Sequence, residues 1–243
     1  MNEIVNQLLQ RKSVRVFDDR EISEEIVQEI LTAAVNAPTA GNQQLYTILR
    51  ITDPEIKFHL SKSCDNQPFI SDAKLVLVFC ADCLKWYKAF CSSGCDPREP
   101  GSGDFLLAVD DAMIAAQNAV TAAESFGIGS CYIGDIMENY ETQREILNLP
   151  DLVFPAALIV FGYPTEQQKK RKKPQRAEMK FIVQENSYHP HSDEELKEML
   201  GYKSSGSSYE EWIRAFCERK YNSDFSREMT RSVNEALKMF RYR

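Results

Sequence analysis

A chain of 243 residues with 43% hydrophobic residues has the size of one large domain or two small ones, and enough apolar surface for a sizeable core. Its formal net charge of −7 argues against nucleic acid as the main partner, because phosphate backbones are bound by clustered cations. The seven cysteines are odd in number and the first ten residues are polar, with no apolar run of a secretory leader, which points to reduced thiols in the cytoplasm.

Residues 3–9 read as a short helix with Ile4, Val5, Leu8 and Leu9 on one face. The run RKSVRVF, residues 11–17, follows. Arg11, Lys12, Ser13 and Arg15 suit an oxyanion, since a guanidinium offers a planar fork of donors to phosphate oxygens. In an extended stretch Arg11, Ser13 and Arg15 point one way, alternating with Val14 and Val16. The ordinary alternative is a solvated basic turn ahead of a helix. Ser23 caps a helix over 23–37, with Glu24 and Glu25 in its first turn. After it, residues 38–44 (PTAGNQQ) form a polar loop into a strand over 45–52. Asp53-Pro54 then opens a short helix ending near Ser63.

Residues 74–81 (KLVLVFCA) are a continuous apolar run, hence a central strand covered on both faces. Cys80, Cys83, Cys91 and Cys95 come next. The C-x-x-C pair raises zinc, but no second pair closes a site, so inert thiols are expected and no metal. A helical turn over 82–90 leads into a Gly-, Ser- and Pro-rich loop up to Gly103, of a length that often covers a site.

Residues 105–126 (FLLAVDDAMIAAQNAVTAAESF) are small or apolar on almost every side of a helical wheel, which marks a buried helix. Its length of about 33 Å would also suit a membrane span. Asp110, Asp111, Gln117, Asn118 and Glu124 argue against lipid, each central acid costing about 2.5–3.5 kcal/mol on insertion. Gly127 can take the left-handed position that ends such a helix. Its alanines allow close approach of another backbone, so the helix is expected to be shared with a second subunit; burial within one chain is the plainer alternative.

Residues 130–135 form a short strand and turn, 138–147 a helix closed by Pro150, and 153–161 an apolar strand. KKRKKPQR, residues 169–176, is either a solvated loop or a second arm on an anionic ligand. Beyond Tyr188 come amphipathic helices over 194–200, 209–221 and 227–240.

Five motifs in order and spacing resemble those of the flavin-dependent nitroreductase family, in its NADPH-preferring flavin reductase branch. The first is R-x-S-x-R-x-F (Arg11, Ser13, Arg15, Phe17), similar to the family's cradle for the FMN phosphate. The second is the loop 37–44, with Thr39 and Asn42 on the family's A-P-S-x-x-N-x-Q pattern. The third is Asn66-Gln67, followed by the strand ending in Ala81-Asp82 with Trp86 beyond; Gln67 is implied to bond the polar edge of the isoalloxazine. The fourth is Gly127, Gly129 and Tyr132-Ile133-Gly134, whose backbone is implied to face the ring; Asp135 stands where the family has a further glycine. The fifth is Lys173-Pro174-Gln175-Arg176, similar to a K-P-R arm to the phosphate.

The resemblance implies an α+β fold with a mixed, mainly antiparallel sheet flanked by helices, and a homodimer built on long central helices. It implies an FMN-binding domain over residues 1–190, a helical C-terminal extension over 191–243 packing on the same dimer, and FMN sites at the dimer interface. The expected function is FMN-dependent NAD(P)H oxidation, with NADPH preferred over NADH. Nitroaromatics, quinones or flavins would be reduced by ping-pong hydride transfer, the acceptor being a small molecule and neither nucleic acid nor membrane a partner. Little acid–base machinery is needed for this, and the chain has only His59, His189 and His191, none inside the motifs. The rivals are a specialised relative, such as a dehalogenase or flavin-fragmenting enzyme, and a non-enzymatic flavin-binding sensor.

Overall fold

Four strands make one sheet in the order β1-β2-β4-β3, antiparallel at every step: β1 (Tyr46–Arg50), β2 (Leu75–Asp82), β3 (Gly129–Ile133) and β4 (Val153–Gly162). The computed structural model that shows this describes residues 2–204 and 206–240. Met1, Ser205 and residues 241–243, which the sequence assigns to the first domain and to the C-terminal extension, lie outside the described residues. The sheet's mixed character comes from residues 11–17, which lie along β3 through a parallel bridge from Ser13 to Ser130 and reach Pro164 through an antiparallel bridge from Phe17.

Strands β2 and β4 are buried at every position, as their unbroken apolar runs require. Leu75, Leu77 and Phe79 pack on one side of the sheet with Ile159 and Phe161; Val76, Val78, Cys80, Leu158 and Val160 pack on the other. The preceding helices in chain order are α1 (Glu3–Gln10), α2 (Glu24–Val35), α3 (Pro54–Ser63), α4 (Phe69–Asp72) and α5 (Leu84–Ser92), followed by the long α6 (Ser102–Ser125), α7 (Tyr140–Ile146) and α8 (Glu166–Lys170). Helices α2 and α6 supply the first apolar layer, and α3, α4 and the segment around Ile136 and Leu149 the second.

At 24 residues, α6 is about 36 Å long. It starts three residues earlier than its apolar run because the Asp104 carboxylate accepts from the Gly101 N–H (2.7 Å) and pairs with Arg98 (2.6 Å). It stops where expected, with Gly127 at φ +70°. Ala112, Ala115, Ala116, Ala119 and Ala123 are fully buried against a layer that includes Ala34 and Ala37. The opposite side carries exposed apolar residues, Leu106 (60% exposed), Leu107, Met113 and Ile114. Helix α1 buries none of its residues, and Ile4, Leu8 and Leu9 stand in solvent. One chain therefore satisfies only part of the apolar surface of these helices.

The division into compact bodies differs from the expected boundary at 190. Residues up to Lys172 and those from Glu228 on form one body, and Lys173–Arg227 another. The second body holds α9 (Asp193–Leu200) and α10 (Tyr209–Lys220), each opened by a reciprocal cap, Ser192 with Glu195 and Ser208 with Glu211. The chain returns to the first body within α11 (Asp224–Leu237). There Arg231 grips Glu141 with two bonds of 2.8–2.9 Å, and the Ser232 hydroxyl accepts from the Tyr140 N–H (3.0 Å). Phe240 packs on Phe105 (ring centroids 4.9 Å), which packs in turn on Phe154 (5.3 Å). Amphipathic spacing marks these helices but carries no information on which surface each one covers. Among the described residues no helix is long and apolar enough to cross a membrane.

Candidate functional site

The cationic segment is held on the open edge of β3 by two glycines. A Cβ at Gly129 would lie 2.5 Å from Val14 Cγ2, and one at Gly162 would lie 2.6 Å from the Phe17 ring, so both side chains sit directly on bare backbone. With Val14 buried and the Val14 N–H donating to Ser130 O (2.9 Å), the flanking Arg11, Ser13 and Arg15 are fixed in register. The Arg11 guanidinium reaches Ser130 Oγ (3.4 Å) and lies 5.5 Å from the Tyr132 ring centre, while its Nε is buried without a partner. Among the described residues no carboxylate lies within ion-pair distance of Arg11, Lys12 or Arg15. A buried, unsatisfied guanidinium nitrogen in an all-cationic strip is what an anionic ligand would complete.

The basic run joins this cradle through its first residues. The Lys12 ammonium donates to the carbonyls of Lys169 (2.6 Å) and Arg171 (2.5 Å), and Arg171 donates back to Ser13 O (2.7 Å). Gln168, buried in the middle of α8, accepts from the Arg15 N–H (3.5 Å). Lys12 thus ties the cradle to the run and the Arg171 guanidinium stands beside it, while the Lys169 ammonium is paired with Glu166 (2.6 Å). Lys173 and Arg176 belong to the second body, where the Arg176 guanidinium donates to Pro174 O (3.5 Å).

Two turns meet next to the cradle. Asp65 and Asn66 both adopt left-handed backbone, and Gln67 follows with its side-chain amide donating to Cys64 O (2.9 Å). Strand β3 ends in Tyr132 and Ile133, the turn after it runs from Gly134 to Glu138, and Asn139 Nδ2 donates to Ser63 O (3.2 Å), locking the two turns together. The Tyr132 hydroxyl bonds to Gln117 of α6 (3.3 Å), Ile133 is buried, and Gly134 is exposed. Behind the turns, Glu138 is buried with Oε1 unpartnered. Burial first, then the charges of Asp135, Asp65 and Glu228, push its carboxyl up to about 7.

The loop carrying Thr39 and Asn42 is organised from beneath by α6. The buried Asp111 carboxylate accepts from the Thr39 hydroxyl, from the Ala40 N–H (3.0 Å) and from the Leu45 N–H (3.0 Å), and Thr39 Oγ1 accepts in turn from the Gln44 N–H (2.7 Å). Between these anchors Gly41, Asn42 and Gln44 all take positive φ, leaving Asn42 exposed at the tip. Thr39 is thereby turned into the loop, and Asn42 is the residue it presents outward. A charged residue on the buried face of a helix needs such partners, and that is the signal by which Asp111 could have been found.

These groups do not converge within one chain. The cradle lies outside β3 and the Asn42 loop feeds β1, at opposite edges of the sheet. Four strand spacings separate them, roughly 19 Å. The cysteines do not converge either: Cys80 and Cys83 are buried, Cys91 and Cys95 exposed, and burial raises the first two thiols to about 12. No group of three or more His, Cys, Asp or Glu placed to hold a metal occurs among the described residues.

Residues 8–163 match the model of the nitroreductase family. The chain belongs to the nitroreductase family. It is 32% identical over 212 residues to an FMN reductase (NADPH) of Bacillus subtilis, a match covering 86% of this chain and 84% of that one. Its fold superposes on the solved structure of NfrA1 of B. megaterium with a TM-score of 0.85 at 29% identity, covering 97% and 98% of the two chains. A likeness of TM-score 0.81 at 25% identity, over 97% and 98% of the chains, holds with an NADPH:FMN oxidoreductase from Vibrio harveyi complexed with NAD+. The antiparallel sheet and the helices that flank it are thus those of a nitroreductase fold.

Proposed function

We propose that this nitroreductase-family protein, an NAD(P)H-dependent flavin oxidoreductase like its named relatives, binds FMN between two copies of the chain and reduces quinones, nitroaromatics or free flavin, preferring NADPH. The observation that carries the shared site is the placement of the Arg11–Arg15 cradle and the Asn42 loop on opposite sheet edges. A second copy would bring its loop to the first copy's cradle. The exposed apolar side of α6 and the unburied face of α1 supply the surface for that pairing.

The residues present fit FMN. Arg11, Ser13 and Arg15 offer the terminal phosphate an uncompensated cationic strip with one buried guanidinium nitrogen open. Gln67 has its amide N–H on Cys64 O, which leaves Oε1 to accept from a ring N–H. Gly134 would let backbone approach a planar ring, and Asn42 of a second copy would hold its other side. FMN, when bound, would supply the two-electron redox chemistry between the nicotinamide and the second substrate. The chain's part is to bind, orient and balance charge, for the net reaction NADPH + H⁺ + quinone → NADP⁺ + hydroquinone. The basic run of residues 169–172, joined to the cradle through Lys12 and Arg171, favours the extra phosphate of NADPH over NADH. One ring face serving both substrates gives ping-pong kinetics, read as parallel initial-rate lines.

Complementation tests the shared site. Chains carrying Arg15→Glu and chains carrying Asn42→Glu should each lose FMN alone, and the heterodimer isolated after co-expression should hold about half of the wild-type flavin, because one of its two sites pairs a native cradle with a native loop. No recovery, or a flavin-bound protein that scatters light as a single chain, would refute it.

A further inference from the structure

A cavity of about 280 Å³ lies between α5, the loop over residues 93–101 and the first turns of α6, outside every group assigned to the flavin above. It approaches the lower end of ligand pockets, roughly 300–1,000 Å³. Its walls are aromatic: Trp86, Tyr87 and Phe90 from α5 face Leu107 of α6. Trp86 and Phe90 are 5.7 Å apart between ring centres, tilted at 42°. The indole is not free to swing, because its Nε1–H donates to the Gln43 carbonyl at 2.7 Å. That carbonyl belongs to the loop whose tip is Asn42, so cavity and flavin loop share a wall.

The charge at the mouth decides which ligands suit it. Arg98 and Asp104 both line the cavity and hold each other through two bonds, 2.6 and 2.9 Å. Their charges cancel, so the cavity offers no net field to a phosphate or a carboxylate, and a dinucleotide is disfavoured by both charge and bulk. Electron-rich indole, phenol and phenyl walls favour an electron-poor ring stacked or edge-on against them. Gln43 adds a side-chain amide to the lining, a donor type suited to a carbonyl or nitro oxygen.

We propose that this cavity is the subsite that recognises the electron acceptor, an uncharged, electron-poor aromatic such as a quinone or nitroaromatic. This role rests on the oxidoreductase reading above. It places acceptor recognition on α5 and the 93–101 loop, while the nicotinamide depends on neither. Selectivity among acceptors is then set by Trp86 and Phe90, neither of which is assigned a contact with the flavin.

The test uses the flavin-loaded protein with menadione as the probe. Without NADPH there is no reductant, so binding is read alone. Trp86 and Trp212 are the chain's two tryptophans, and Trp212 serves as the internal control. Menadione should quench the wild-type emission saturably, and in Trp86→Phe only the linear, collisional quenching of Trp212 should remain. In turnover, Phe90→Ala should raise KM for menadione about 3- to 10-fold, the value of one lost aromatic pairing, and leave KM for NADPH and the rate of flavin bleaching by NADPH unchanged. Linear quenching in the wild type, saturable quenching retained in Trp86→Phe, or an unchanged menadione KM in Phe90→Ala would each overturn the proposal. Failure of the oxidoreductase reading looks different: NADPH would not bleach the flavin, whatever menadione did to the fluorescence.

Discussion

Replacing Asp111 by Asn tests whether α6 shapes the flavin loop. In the native chain the Ala40 N–H meets Oδ1 at 3.0 Å, while the Leu45 N–H (3.0 Å) and the Thr39 hydroxyl meet Oδ2. Asparagine has one carbonyl oxygen and one NH₂ group, so in either orientation one backbone N–H faces another donor. A buried donor left without an acceptor costs about 1–3 kcal/mol. The loop also holds Asn42 and Gln44 at positive φ, a conformation that disfavours non-glycine residues by roughly 1–2 kcal/mol each. The strained loop should therefore open locally before the fold is lost. Asp111→Asn is expected to weaken FMN binding about 5- to 150-fold, speed hydrogen exchange at the Ala40 and Leu45 amides, and lower the melting temperature by a few degrees, at about 2–4 °C per kcal/mol for this size. Asp111→Ala loses both backbone acceptors and should cost about 2–6 kcal/mol. Thr39→Ser preserves the hydroxyl and should behave as wild type. An Asn variant with native FMN affinity and native exchange at both amides would refute the role given to Asp111.

Gly129→Ala should cost about 1–3 kcal/mol and release FMN, because the new Cβ falls 2.5 Å from Val14 Cγ2; thermal melts should show Val14→Ala restoring both. Neutralising Lys169, Lys170, Arg171 and Lys172 together should raise KM for NADPH about 10-fold or more and leave that for NADH nearly unchanged, and equal effects would return the run to a solvated loop. Glu138 carries a pH dependence. Its folded-state carboxyl is pushed up from 4.5 to about 7, so the penalty of ionising it is absent below 4.5 and fully present above 7, and stability falls as pH rises through that window. The full displacement corresponds to about 3 kcal/mol, and solvent screening around the acidic cluster reduces this to about 1–2 kcal/mol. Glu138→Gln should accordingly raise the melting temperature more at pH 8 than at pH 5, a difference absent if the carboxyl titrates normally.

The parts of this protein legible in its sequence are those whose cause is local. The apolar run of β2, the Ser23 cap, the Asp53-Pro54 start of α3 and the Gly127 stop of α6 follow from a few neighbouring residues, and each stands where its cause puts it. The start of α6 was hidden because Gly101 and Gly103 read as breakers, whereas the Asp104 carboxylate caps the chain across them. The alternation of Arg11, Ser13 and Arg15 was likewise visible, but the lodging of Val14 on Gly129 pairs residues more than a hundred apart, and no period reports that.

The same distinction separates Lys12 from its neighbours. Composition makes it a third phosphate ligand, equal to Arg11 and Arg15. In the fold its ammonium is bound to the carbonyls of Lys169 and Arg171, so it acts on the anion site mainly by fixing the second basic segment beside the first. Lys12→Ala would then remove more than one charge: it frees residues 169–171 to move, while Arg11 and Arg15 stay seated by Val14 and Phe17. Lys12→Arg keeps the charge but cannot place a compact ammonium between two carbonyls. If Lys12 were a direct phosphate ligand, the arginine variant would hold FMN as well as wild type. If it is the tie between the segments, both variants should lose NADPH selectivity together.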